Sequence, residues 1–264
     1  MAKFLGIIIW GVLVYSILNF LPVSYSSGTS FLASGKDTLL DSVKDSKNAS
    51  RAISVFKRDG KFLGGSLNYP GGVDIYGIKN SPKNQNLFFA ATDKGLFVSR
   101  DGGLNWRNFS DIEKKIGENT KIYGLIFSPD GRAYISVYGD NKGFLYASND
   151  NFFSLDKIAD WDKEGVYSMS LAGDDLYLGL SDGRLLKYSL SGKDIGEVNK
   201  LKSPVIKLEV FRGNIYLVLK SGGFWISNDS GKNFKSGGNN FKDFYADPRN
   251  PNLIYAITGY GLIR

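Results

Sequence analysis

The chain has 264 residues, of which 32 are glycine and 14% aromatic, a formal net charge of +7, and neither cysteine nor histidine. The two missing residue types exclude disulfides, thiolate or His-ligated metal sites, a cysteine nucleophile, a Ser-His-Asp triad and an imidazole pH switch. The positive charge is spread along the chain, even where Lys193, Lys200, Lys202 and Lys207 gather; this suits a solvated surface attracted to anionic lipid or polymer, and without a basic stripe it argues against nucleic acid.

Phe4 to Val23 is an uncharged stretch of 20 residues preceded by Lys3, long enough as a helix to cross a hydrocarbon core of ~30 Å. Its length favours an uncleaved membrane anchor over a cleaved signal peptide, although Ser24 and Ser26 would suit the −3 and −1 positions of a cleavage site. In either case Lys3 and the start amine favour the inside, so residues 51–264 are expected outside the cytoplasm, with 1–26 as anchor or signal. Residues 27–50 are rich in Ser, Gly, Lys and Asp and read as a linker, with a short helical face at Leu39, Leu40 and Val43.

From residue 75 onward the chain repeats. Five β-rich runs open five units: Ile75–Ile78, Ile122–Leu125, Val166–Met169, Val205–Leu208 and Asp243–Ala246. Each is followed by a turn, among them Ser81-Pro82-Lys83-Asn84, Ser128-Pro129-Asp130-Gly131 and Asp247-Pro248-Arg249-Asn250, and then by a second apolar run. Tyr177, Tyr216 and Tyr255 mark three of the second runs at intervals of 39 residues. Gly95, Gly143, Gly183, Gly223 and Gly261 introduce the third runs. Spacing near 40 residues and the scarcity of helical pattern, apart from the insertion Ser110 to Ile116, predict an all-β repeat architecture.

One motif closes the first unit. Ser99, Asp101, Gly103 and Trp106 match S-x-D-x-G-x-x-W, and Ser227, Asp229, Gly231 and Phe234 repeat it with Phe in the last position. A worn copy runs from Ser148 through Asp150, with Phe152 in the glycine position and Leu155 in that of the aromatic. An Asp in a tight hairpin can accept bonds from backbone N–H groups, the glycine permits positive φ, and the aromatic buries itself on the turn. These residues are therefore expected to be structural.

The motif, together with the run Asn84 to Ser99 that leads into it and with Asp247 to Ala256, resembles the repeat of Asp-box propellers of the sortilin and photosystem II assembly-factor type. The resemblance spans about residues 70 to 264 and implies a β-propeller with the boxes at its rim. Five blades are expected. Because the last unit ends before an outer strand, Ala52 to Gly60 is expected to supply that strand and close the ring; a truncated larger propeller is the alternative, with an exposed edge at its end.

Such propellers include hydrolases, sorting receptors and assembly factors, so function needs separate reading. No catalytic, cofactor-binding or metal motif is apparent. The repeat region has too few arginines in inner-strand positions for a sialidase triad; Glu209 and Asp243 lie in or near inner strands and could form the pair of carboxylates a glycosidase requires, although unrelated surface carboxylates are the expected reading. Loops joining second and third strands should share one face and carry Asp93, Lys94, Asp140, Asn141, Lys142, Asp182, Lys220 and Tyr260. Two functions are expected: a non-catalytic scaffold holding a protein or peptide on that face, or a glycan-binding or glycan-cleaving protein using Trp161, Tyr138 and Tyr260 as stacking platforms. Carboxylates of raised pKa in the centre would favour the second.

Overall fold

The computed structural model describes residues 73–117, 120–246 and 253–258, together with the strands at 55–56, 62–63 and 261–263. The two short N-terminal strands β1 (Val55–Phe56) and β2 (Phe62–Leu63) pair with each other. Four antiparallel sheets of four strands follow. The first holds β3 (Ile75–Ser81), β4 (Asn84–Thr92), β5 (Gly95–Ser99) and β6 (Arg107–Asn108). After a helix α1 (Ser110–Ile116) come β7 (Lys121–Phe127), β8 (Ala133–Gly139), β9 (Lys142–Ser148) and β10 (Asp156–Asp162). The third sheet holds β11 (Val166–Ala172), β12 (Asp175–Leu180), β13 (Arg184–Ser189) and β14 (Ile195–Lys200). The fourth holds β15 (Val205–Phe211), β16 (Asn214–Leu219), β17 (Phe224–Ser227) and β18 (Lys235–Gly238). A fifth sheet has three strands, β19 (Phe241–Ala246), β20 (Ile254–Thr258) and β21 (Gly261–Ile263).

Each sheet is a plain meander, with strands consecutive in the chain paired side by side. The first strands of the sheets pack in sequence, β3 on β7, β7 on β11, β11 on β15 and β15 on β19, so the five sheets radiate from one axis. Second and third strands are apolar on both faces, as in Asp175–Leu180 and Asn214–Leu219, since each face meets a neighbouring sheet. The core is accordingly a series of inter-sheet clusters. One surrounds Phe89, Ile112, Ile135 and Phe152; another surrounds Leu145, Leu176, Leu178 and Tyr188.

The innermost strands have a free backbone edge toward the axis, and serine side chains help to satisfy it. Ser168 Oγ donates to the Val205 carbonyl at 2.8 Å, and the Val210 N–H donates to Ser170 Oγ at 2.9 Å. At the start of β9, Gly143 lies against the Glu164 carbonyl so closely that a Cβ would come within 2.1 Å of it. That contact requires glycine.

Val55–Phe56 lies within the run expected to close the last sheet, yet its partner is Phe62–Leu63, and among the described residues the fifth sheet has no fourth strand. The expected anchor at residues 4–23 and the linker at 27–50 lie outside the described residues. Among the described residues no helix is long and apolar enough to cross a membrane.

Candidate functional site

Three rim hairpins share one hydrogen-bond pattern. At the end of β5 the Ser99 hydroxyl donates to Asp101 Oδ1 at 2.7 Å and accepts from the Gly103 N–H at 2.9 Å, while Asp101 accepts from the Asn105 N–H at 2.9 Å and from Asn105 Nδ2 at 2.6 Å. Ser227, Asp229, Gly231 and Asn233 repeat every one of these bonds. Ser148 and Asp150 do so with Phe152 and Ser154. The bonds from the Asn105 and Asn233 backbones and side chains hold Asp101 and Asp229 down to about 2. These carboxylates are consumed by their own turns. Trp106 is buried and its Nε1 donates to the Gly103 carbonyl at 3.0 Å, whereas Phe234 is only partly buried against the fourth sheet.

The worn copy is the most constrained of the three. Phe152 stands where the others have glycine and adopts φ 74°, a conformation that disfavours a side chain, yet it is fully buried against Phe89 with ring centroids 4.9 Å apart. Burial of a phenylalanine contributes roughly 2–3 kcal/mol, enough to offset strain of about 1–2 kcal/mol. In the third sheet the corresponding hairpin has Ser191 in place of an Asp two residues after Ser189, and Asp174 from the turn between β11 and β12 takes over, accepting from Ser189 Oγ, the Ser191 N–H and Ser191 Oγ.

The opposite end of the inner strands carries a second repeated feature. Every first strand has a register shift near its start, which leaves one residue out of the ladder: Tyr76, Tyr123, Tyr167, Ile206 and Lys242. A bulge leaves one residue outside the ladder and re-aims its side chain. The three tyrosines meet here, with Tyr76 and Tyr123 centroids 4.9 Å apart, Tyr123 and Tyr167 4.8 Å apart, and Tyr138 from the end of β8 at 6.3 Å from Tyr123. Burial, followed by the neighbouring phenols, pushes Tyr123 up to about 12. All four rings are half-buried.

The loops between second and third strands crowd this same end. Asp93 accepts from the Asp74 N–H at 2.7 Å, Tyr138 donates to Asn141 Oδ1 at 3.0 Å, and the Lys220 N–H donates to the Pro204 carbonyl at 2.9 Å. Asp140 and Asn141 both have positive φ, as a two-residue hairpin turn needs. Not all of the anticipated loop residues are available to a ligand. Lys142 bridges Asp160 at 2.8 Å and Asp162 at 3.2 Å, and Asp182 holds Arg184 at 2.7 Å and Lys200 at 2.8 Å. Lys94, Asp140, Asn141 and Lys220 are exposed, and Tyr260 lies outside the described residues. Lys220, Lys242 and Ile206 border a depression of about 560 Å³ between the fourth and fifth sheets.

One layer deeper, charges meet along the axis. Lys207 on β15 and Asp243 on β19 form a buried ion pair of 2.8 Å. Lys79 on β3 is enclosed by protein, and burial, aided by Lys207 and opposed by Glu209, lowers its pKa to about 7. Asp243 therefore faces an ammonium. No carboxylate with a resolved shift among the described residues is raised; Asp101, Asp130, Asp150, Asp160, Asp174, Asp182 and Asp229 are all held down. Trp161 packs its ring on the core between the second and third sheets.

Comparison with known proteins agrees with this geometry. YCF48 from Cyanidioschyzon merolae superposes with a TM-score of 0.59 over 74% of this chain and 68% of its own, at 15% identity. A structure of YCF48 bound to D1 peptide gives 0.51 over 76% and 67%, at 14% identity. The GH74 enzyme of Niastella koreensis gives 0.57 at 17% identity, over 70% of this chain and 35% of its own. The fold is a β-propeller. Over 91 residues, 32% of the chain, the sequence is 31% identical to the oligoxyloglucan-reducing end-specific xyloglucanase of Emericella nidulans, of which that match spans only 11%. No protein-family model matches the chain.

On this propeller the sequence-derived motif residues lie at hairpins between third and fourth strands, and the sequence-derived loops lie at the end of the inner strands that carries the tyrosines. Sequence reasoning did not single out Tyr76, Tyr123 and Tyr167 as one group, nor Lys79 with Lys207. A signal was present: in three of the five inner runs the second residue is a tyrosine followed by glycine or serine, Tyr76-Gly77, Tyr123-Gly124 and Tyr167-Ser168.

Proposed function

We propose that this propeller is a non-catalytic scaffold of the Asp-box type, anchored outside the cytoplasmic membrane by residues 4–23, that holds a protein or peptide segment on its loop face. The observation that carries the reading is the convergence of three bulged tyrosines and Tyr138 on the face that also gathers the exposed loop residues Asp140, Asn141 and Lys220. Aromatic side chains with few rotatable bonds lose little entropy on binding and serve as contact platforms. The ion pairing of Asp243 with Lys207 speaks against a general acid at that position. The peptide-bound form of YCF48 supports the partner class by likeness of fold.

A glycan is the second reading, favoured by the partial likeness to a xyloglucanase and a GH74 enzyme, and by the stacking capacity of tyrosine. The full-length protein, in detergent, would be probed in parallel with a random nonapeptide library and with a glycan array, beside Tyr123→Ala and Tyr167→Ala. Peptide binding that both substitutions abolish in folded protein is the expected result. Glycan binding alone, or peptide binding that neither substitution alters, would overturn the scaffold reading.

A further inference from the structure

The loop face is electrically uneven. Toward the first three blades lie the four tyrosine rings, and the charges acting on them are negative: Asp93 and then Asp74 act on Tyr76, and Glu164 on Tyr167. Two of these carboxylates are fixed in place. Asp93 is locked to Asp74 by reciprocal bonds, the Asp93 N–H to the Asp74 carbonyl at 3.0 Å and the Asp74 N–H to Asp93 Oδ1 at 2.7 Å, and Glu164 is held by the Ser181 hydroxyl. Of the ammonium groups at this end, Lys142 is bound to Asp160 and Asp162 and the exposed Lys94 reaches Asp93 only at 4.0 Å, while Lys121 and Lys163 are exposed. Toward the fourth and fifth blades the bulge positions change to Ile206 and Lys242, and Lys220 joins them; among the described residues neither lysine has a carboxylate within 4.0 Å.

A ring face is electron-rich, and a nearby fixed carboxylate deepens that negative potential without competing for the ring. A neutral sugar would gain from the rings but nothing from the carboxylates. A lysine or arginine side chain gains from both. Resting on the scaffold reading above, we infer that the Tyr76–Tyr123–Tyr167 floor with Asp93 and Glu164 is a recognition site for one cationic side chain of an extended peptide, whose neighbouring acidic residue or carboxylate terminus lies toward Lys220 and Lys242. Register follows from this polarity, since reversing the peptide would place like charges together at both ends.

The test uses the full-length protein and the nonapeptides it selects. Selected sequences should share one Lys or Arg followed or preceded at a fixed interval by an acidic residue. Replacing that Lys by the neutral isostere norleucine should weaken binding roughly three- to thirtyfold, the range of a partly desolvated cation–π contact. The double variant Asp93→Asn, Glu164→Gln, which keeps an oxygen acceptor at both positions, should shrink that Lys-to-norleucine ratio toward one while leaving the norleucine peptide's affinity unchanged. Peptides that bind through Tyr123 with no preference for a cation would overturn this inference and leave the scaffold standing. Absence of any Tyr123-dependent peptide would remove both.

Discussion

The rim hairpins and the loop face use polar side chains in opposite ways. At the rim every carboxylate of the repeated motif is saturated by its own turn, Asp101 by Ser99 and Asn105 and Asp229 by Ser227 and Asn233. On the loop face bulges turn Tyr76, Tyr123 and Tyr167 away from the ladder, and Lys220, Lys242 and Asp140 remain exposed. Repetition alone is thus a poor guide to function. Both features recur from blade to blade, but only one leaves its chemistry pointed outward.

The comparison can be broken most severely at Phe152. Phe152→Ala should lower stability by about 4 kcal/mol, because a fully buried ring is lost from a turn whose strained backbone it holds, and Trp106→Ala should cost about 3 kcal/mol. Denaturant unfolding measures both. Peptide affinity of the folded fraction should be unchanged; a loss of affinity at full stability would move the binding site to the rim. Next in size is Asp243→Ala, expected to cost about 3 kcal/mol by leaving the buried Lys207 ammonium beside Lys79 without its counter-charge. The double variant Asp243→Ala, Lys207→Met should recover much of that loss, and equal instability of the two would show that the pair is not the cause.

Acid gives the smallest and most diagnostic effect. Asp101 and Asp229 ionise at about 2 in the folded chain, below their ordinary range near 4. Their contribution to stability is therefore complete above about pH 4 and is lost as pH falls toward about 2, since the unfolded chain takes up protons first. Thermal midpoints recorded from pH 6 to pH 2 should fall across that window, and Asp101→Asn with Asp229→Asn should flatten the fall. A slope that the two substitutions leave intact would assign the acid sensitivity to other carboxylates.

Much of this was legible beforehand. The inner runs, the glycine turns, the helix at Ser110–Ile116 and the three motif hairpins were all readable, because each depends on local turn chemistry and short-range periodicity. Even the worn copy at Asp150 was recognisable, as serine and aspartate keep their spacing when the glycine does not. Outer strands such as Asp156–Asp162 and Lys235–Gly238 were not read as strands, since they are polar, largely exposed and held mainly by one neighbour. Glu209 and Asp243 looked like a possible catalytic pair only because the lysines facing them come from other blades.

By itself the sequence determined the repeat, the order of the first three strands within each blade and the saturated rim hairpins, all of which rest on residues fewer than about 45 positions apart. The tertiary structure alone decided which side chains meet at the axis and on the loop face. Tyr76 and Tyr167 are 91 residues apart, and Lys79 and Lys207 are 128 apart; their meeting depends on how five twisted sheets pack around one axis, a sum of many small packing angles that no local pattern encodes. For the same reason the bulges, trivial as single insertions in a ladder, form one shared surface only once the blades bring them together.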